Sequence, residues 1–324
     1  MNKLKIVFLG TPKIACNALE KLKQYDDIEV CAVVTQPDKP AGRGHKMAEP
    51  PIKTLAKELN LEVFQPISIR KDTELLDKLR SYDADFFITI AFGQILSQEV
   101  LDIPKIGTIN LHASLLPEYR GANPIARAIS DGKKVTGVTT MLTSLGVDEG
   151  DIVMVEKIDI PDNMTTLDLA IKISEIAPDI LHKSMKGLET GTITPIKQEH
   201  EKATFAPKYS KEETFLDFSK SAQELHNIVR ALYPKPAANC YYNGTLVKIL
   251  ETKAVDTYAL PTSCGCTNML KNVENGAITA KDKDGIYVKT GSGILFIKTL
   301  KPEGKKEMSA AAWSCGLKTL GCFT

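Results

Sequence analysis

Two periods of hydrophobic repetition alternate along the first half of the chain. Leu4 to Leu9, Glu29 to Thr35 and Ala84 to Ala91 are short apolar-rich runs of strand length. Between them, Ile14 to Tyr25, Ile52 to Leu59 and Thr73 to Ser81 place apolar residues every three to four positions, as amphipathic helices do. This succession predicts an α/β domain with a doubly wound, mainly parallel sheet. Gly107 to Leu111, Val135 to Leu142 and the run Ile-Val-Met-Val from Ile152 add further strands, and a helix is expected from Pro124. Thr166 to Glu189 reads as a helix, with Pro178 implying a kink or a break. Gly191 to Ser210 mixes Gly, Pro, Lys and Glu and reads as a linker, dividing residues 1–190 from residues 211–324. In the second part a helix at Ala222 to Leu232 precedes short β-like runs near Asn239 to Tyr242, Thr245 to Leu250, Ala277 to Ala280, Gly285 to Lys289 and Gly293 to Leu300. That pattern suggests a small β-barrel.

In doubly wound sheets, ligands gather at the C-terminal ends of the strands. Gly10-Thr11-Pro12, Ala91 to Gly93 and Asn110 to His112 all fall at such ends. No G-x-G-x-x-G follows the first strand, so a dinucleotide cofactor has little support. The richest stretch is IGTINLHASLLPEYRGANPI, Ile106 to Ile125. Asn110 and His112 lie two apart on a strand, so an amide and an imidazole leave the same face. Asn can donate to a transient negative oxygen, and His can do the same or move a proton near neutral pH. Ser114 follows the His too closely for a nucleophile elbow, and there is no G-x-S-x-G. Direct transfer between two bound substrates is therefore favoured. Asp148, in the Gly-flanked turn Ser144 to Asp151, supplies a carboxylate able to orient His112 and hold a relaying water, while Glu149 should point away.

Composition is consistent with a soluble enzyme: 324 residues, 43% hydrophobic and 25% charged, are enough for two cores. The lysines before Ile6 to Leu9 invite a signal-peptide reading, but that apolar run is shorter than the roughly 7 to 15 residues of a signal core. A buried first strand and a cytoplasmic protein are expected, with no membrane span. Seven cysteines without a C-x-x-C point to reduced thiols; only Cys264 and Cys266 are close enough to consider as a ligand pair, no H-E-x-x-H occurs, and no metal site is expected. The net charge of +1 hides an asymmetry. Residues 207–324 hold 16 Lys and Arg against 11 Asp and Glu, and the remainder 25 against 29, so the smaller domain has the surplus that could meet phosphates. The long connection Gln36 to Met47, rich in Pro, Gly and cations, is not expected to form a regular element.

Five segments carry a resemblance: FLGTP from Phe8, TQPDKPAGRGHKM from Thr35, NLHASLLPEYRGANPI from Asn110, the Asp148 loop, and SKSAQELHNIVRALYPKPAA from Ser219. They resemble the methionyl-tRNA formyltransferases, folate-dependent enzymes with a Rossmann-like catalytic domain, and cover nearly the whole chain. The resemblance implies transfer of the formyl group of 10-formyltetrahydrofolate to the α-amine of methionine on initiator tRNA. It makes Asn110, His112 and Asp148 the catalytic trio. It places folate against Ser114, Leu115, Leu116 and Pro117 and beside the loop Ala91, Phe92, Gly93, Gln94, Ile95 and Leu96. It turns the cationic connection, through Lys39, Arg43, His45 and Lys46, toward the tRNA acceptor arm. It makes the C-terminal domain OB-like and tRNA-binding; a monomer is expected. Ile14 and Phe92 stand where the family often has Phe and Tyr. The alternatives are a related enzyme formylating an amino sugar nucleotide, sharing the same trio, and a catalytically inactive RNA-binding protein.

Overall fold

The computed structural model describes residues 3–41, 46–255, 273–317 and 319–324. Its elements, in chain order, begin with β1 (Leu4–Gly10), α1 (Cys16–Gln24), β2 (Ile28–Val34), β3 (Lys39–Ala41), β4 (Lys46–Ala48), α2 (Pro51–Glu58), β5 (Val63–Phe64) and α3 (Thr73–Ser81). They continue with β6 (Phe86–Ile90), α4 (Gln98–Leu101), β7 (Gly107–His112), α5 (Pro124–Ser130), β8 (Val135–Leu142), β9 (Ile152–Asp159) and α6 (Thr166–Glu189). The last set is α7 (Ala222–Leu232), β10 (Ala238–Tyr242), β11 (Thr245–Val255), β12 (Ile278–Lys281), β13 (Ile286–Lys289), β14 (Ile294–Pro302), β15 (Met308–Ser309) and α8 (Ala310–Cys315).

Two compact units emerge. The first comprises Met1–Pro124, Val135–Asp159 and Ala170–Ala206; the second comprises Ile125–Lys134, Ile160–Leu169 and Pro207–Thr324. The first unit holds a seven-stranded sheet of order β5-β2-β1-β6-β7-β8-β9. Strands β5 to β7 are parallel, and β8 and β9 continue the sheet antiparallel. Val7, Leu9, Val34 and Phe87 pack with Leu75, Leu76 and Leu79 of α3, while the intervening Ile6, Phe8 and Ile88 are buried too. Burial on both faces is why these strands read as apolar runs rather than as alternating ones.

One local expectation is narrowed and two need revision. Thr166–Glu189 is one helix with Pro178 inside it, not two, because its apolar positions, among them Ile173, Ala177, Ile180 and Leu181, stay buried on either side of the proline. The connection Gln36 to Met47 does contain regular structure: β3 and β4 pair antiparallel, Lys39 opposite Ala48 and Ala41 opposite Lys46. The hairpin satisfies backbone groups that composition had assigned to an irregular loop. Residues 191–206 are packed in the first unit, where Ile196 bridges Ile152 and Phe205 bridges Arg120.

The second unit is built on an antiparallel sheet of order β10-β11-β14-β13-β12, with β15 added to β14. The C-terminal tail closes it toward a barrel, since Phe323 bridges Tyr242 and Cys322 bridges Ala277. Its core gathers Leu225, Val229 and Leu232 of α7 with Val247, Ile249, Val288, Ile297 and Phe323. Ser221 and Glu224 form a reciprocal capping box at the start of α7, fixing where that amphipathic helix begins. Among the described residues no helix is long and apolar enough to cross a membrane.

Candidate active site

The parallel register aligns Gly10 with Ile90 and Thr89 with Asn110, so the strand ends singled out in the sequence lie side by side in the first unit. Thr108, Asn110 and His112 alternate along β7 and share one face of it. The Asn110 carboxamide oxygen accepts from the Thr89 hydroxyl at 2.8 Å, an arrangement that leaves the amide nitrogen as the available donor. Nothing in the local pattern around Thr89 marked it as a partner.

His112 is 6% exposed, with a backbone carbonyl at one ring nitrogen and a carboxylate near the other. Its Nε2–H donates to the Tyr119 carbonyl at 2.9 Å, which leaves Nδ1 toward Asp148 Oδ2 at 3.4 Å. The same carboxylate oxygen accepts from the Gly121 backbone N–H at 2.8 Å. Asp148 therefore meets His112 across 36 residues of chain. The turn that brings it there is strained: Asp148 has φ +53°, in the left-handed region, where a non-glycine residue costs on the order of 1 kcal/mol. Gly150 is obligatory two residues on, because a Cβ there would stand 1.6 Å from the Leu142 carbonyl oxygen.

The Arg120 guanidinium is buried. Its Nε and one terminal nitrogen donate to Gln198 Oε1 at 3.1 and 2.6 Å, and Glu149 Oε1 lies 3.8 Å from the other terminal nitrogen. Gln198 sits in the stretch that composition read as linker, where no motif singled it out.

The proposed folate residues divide by environment. Ser114 is fully buried and its hydroxyl donates to the Glu118 carbonyl at 2.6 Å; Leu116 is buried, while Leu115 and Pro117 are partly exposed. In the other loop Phe92 and Leu96 enter the core beneath β1 and β6, whereas Ala91, Gly93 and Ile95 are exposed. Gln94 spends both ends of its amide on the neighbouring loop, accepting from Ile69 N–H and donating to the Pro66 carbonyl. None of these ten residues lines the adjoining cavity of about 570 Å³. That cavity is bounded by Gln98, Leu101, Ile106 to Thr108, Leu142 to Gly146 and Glu149. None of the trio lines it, although Thr108 shares a face of β7 with Asn110 and Glu149 follows Asp148. Thr108 and Thr143 both line it, and among the described residues their buried hydroxyls have no hydrogen-bond partner.

Of the candidate RNA contacts, Lys39 is exposed at the base of the β3–β4 hairpin, its Nζ 3.4 Å from Gln36 Oε1, and Lys46 supplies backbone to β4. Arg43 and His45 lie outside the described residues, as do Cys264 and Cys266. Among the described residues no cluster of three or more His, Cys, Asp and Glu is arranged to hold a metal ion. A second cavity, of about 310 Å³, lies in the second unit around His226 and Arg230.

Residues 4–185 match the family model of formyl transferases, and residues 208–318 match that of the formyl transferase C-terminal domain. The chain is 42% identical over 315 residues to the methionyl-tRNA formyltransferase of Acetivibrio thermocellus, a span of 97% of each chain. Two solved structures share the fold. The N-formyltransferase of Helicobacter canadensis, in complex with folinic acid and dTDP-3-aminofucose, matches with a TM-score of 0.63 at 20% identity, covering 92% of this chain and 99% of that one. HypX of Aquifex aeolicus, in complex with tetrahydrofolic acid, matches with a TM-score of 0.62 at 17% identity over 97% of this chain; the chain spans about half the length of HypX, 47%. With both family models matched in order and 42% identity held over nearly its full length, the chain belongs to the formyl transferase family, among the methionyl-tRNA formyltransferases.

Proposed function

We propose that this protein transfers the formyl group of 10-formyltetrahydrofolate to the α-amine of methionine carried by initiator tRNA. The observation that carries the reading is the convergence of an amide, an imidazole and a carboxylate near a cavity lined by Thr108 and Thr143. Folate bound in that cavity supplies the formyl carbon and, in N10, the leaving atom. Thr108 and Thr143 would hydrogen-bond its polar ring edge, and Leu101, Ile106 and Leu142 would pack against its flat faces.

The residues of the chain divide the work. The Asn110 amide nitrogen donates to the formyl oxygen as it becomes negative, and His112 assists from the same strand face. Asp148 fixes the His112 ring and, through a water, accepts the proton that the amine loses. The nitrogen–carbon bond to the methionine amine forms, the carbon–N10 bond breaks, and a proton ends on N10. No covalent enzyme intermediate and no metal enter this scheme.

The acceptor is the finer part of the proposal. Lys39 and Lys46 of β3 and β4, together with Arg43 and His45 between them in the sequence, are assigned to the tRNA acceptor arm, with Arg43 favoured because its planar fork suits phosphate and base edges. The positive surplus of the C-terminal part would add salt-sensitive attraction to the phosphates. The protein is taken to act as a cytoplasmic monomer. Incubation with 10-formyltetrahydrofolate and either initiator Met-tRNA or a dTDP-amino sugar tests the assignment: formyl should enter the Met-tRNA alone. Incorporation into the sugar nucleotide would reassign the acceptor, and incorporation into neither would favour a binding protein.

A further inference from the structure

Three consecutive residues, Tyr119, Arg120 and Gly121, each hold a different part of the candidate catalytic pair. The Tyr119 carbonyl accepts from His112 Nε2, and the Gly121 N–H donates to the Asp148 carboxylate. Arg120 acts at one remove: its guanidinium grips Gln198 Oε1 with two nitrogens. The Gln198 amide nitrogen then donates to the carbonyls of Asp148 at 2.9 Å and Gly150 at 2.7 Å. The orientation of this amide is unambiguous. A guanidinium only donates and carbonyls only accept, so the oxygen must face Arg120 and the nitrogen must face the loop. Gln198 is 6% exposed and Arg120 2%, so neither can exchange these bonds for bulk water. The strand-like pairing of residues 204–206 with Arg120, through Arg120 N–H to the Thr204 carbonyl and Ala206 N–H to the Arg120 carbonyl, sets both partners in register.

We infer that Gln198 is a positioning residue of the formyl transfer site, holding the strained Asp148 turn at the distance from His112 that the chemistry requires. It touches no reacting atom. Its effect runs through the backbone carbonyl of a residue in the left-handed region, a conformation that its own sequence does not favour and that must be held from outside. This inference rests on the functional reading above for its kinetic consequence, though not for its structural one. Only a side chain with an acceptor and a two-proton donor on one carbon can serve: it must satisfy a cation on one side and two carbonyls on the other. Glutamate keeps the reach and the cation but replaces the donor with a second acceptor.

The variant Gln198→Glu separates positioning from stability. Its carboxylate should pair with Arg120, with His200 and Glu149 also near that guanidinium, and so preserve the fold. The same carboxylate repels the Asp148 and Gly150 carbonyls, and a displacement of about 1 Å at the site costs on the order of 10²-fold in rate. The expected result is a melting temperature near that of the wild type, a kcat lower by about 10²-fold, unchanged KM for Met-tRNA, and faster amide exchange confined to residues 143–151. Arg120→Lys, which loses the two-pronged grip, should shift exchange in the same loop. Wild-type kcat and wild-type exchange in folded Gln198→Glu would overturn the inference. So would unfolding of both variants, because Gln198 would then support the whole unit rather than the turn. The exchange measurement needs no substrate, so it judges Gln198 separately from the assigned acceptor.

Discussion

Asn110→Ala is the most direct probe of the proposed chemistry. The side chain is partly buried on β7, and among the described residues its hydrogen bond is the one accepted from Thr89. Losing that bond should cost about 1 kcal/mol of stability. Such a loss lowers the melting temperature by roughly 2 to 4 °C for a domain of 150 to 250 residues, so the variant should fold. The kinetic loss is larger because the amide nitrogen, without a partner among the described residues, is available to the reacting oxygen. Removing one preorganised donor to a developing oxyanion costs about 2.7 to 4 kcal/mol. At 1.36 kcal/mol per decade this is roughly 10² to 10³ in kcat. Because the donor acts on charge that appears only in the transition state, KM for 10-formyltetrahydrofolate should change little. Asn110→Asp should be worse than Asn110→Ala, since it sets an acceptor with negative charge against an oxygen that is becoming negative. The assay is steady-state formylation of Met-tRNA, paired with circular dichroism to show that each variant is folded. A folded Asn110→Ala protein turning over within about threefold of the wild type would refute the assignment, as that ratio is under 1 kcal/mol.

Two further predictions concern the cavities. Replacing Thr108 or Thr143 by valine removes a hydroxyl that is buried without a partner, so the folate-free protein should become no less stable, while the KM for 10-formyltetrahydrofolate rises; an unchanged KM in both variants would exclude the cavity as the folate site. In the second unit, burial holds the His226 imidazole below its ordinary pKa, its Nε2–H donating to the Asp162 carbonyl and its Nδ1 accepting from Thr252. The unfolded chain then binds the proton more readily than the folded one, so stability is present above the unfolded value of about 6.5 and is lost as pH falls below it. Thermal melts from pH 7.5 to 5 should show a steeper loss in the wild type than in His226→Gln, whose amide can make the same two bonds uncharged; parallel curves would contradict this.

The sequence by itself determined what depends on neighbours along the chain. Apolar periodicity sets which face of a segment must be buried, so the strand–helix alternation and the C-terminal antiparallel runs were legible. The two-residue spacing of Asn110 and His112 settled that they share a face. Even where local chemistry was informative it had limits: Pro178 signalled a kink or a break without deciding between one helix and two, and the Pro and Gly of the cationic connection concealed the β3–β4 pairing. Tertiary structure alone decided which atoms meet. Thr89 reaches Asn110 because neighbouring parallel strands are in register, and Asp148 reaches His112 because Gly121 N–H and Gln198 hold a turn whose backbone conformation its own residue disfavours. Arg120 grips Gln198, 78 positions away. Hydrogen bonds of that sequence separation leave no periodic trace, because their geometry is specified by the packing of elements rather than by the residues adjacent to either partner.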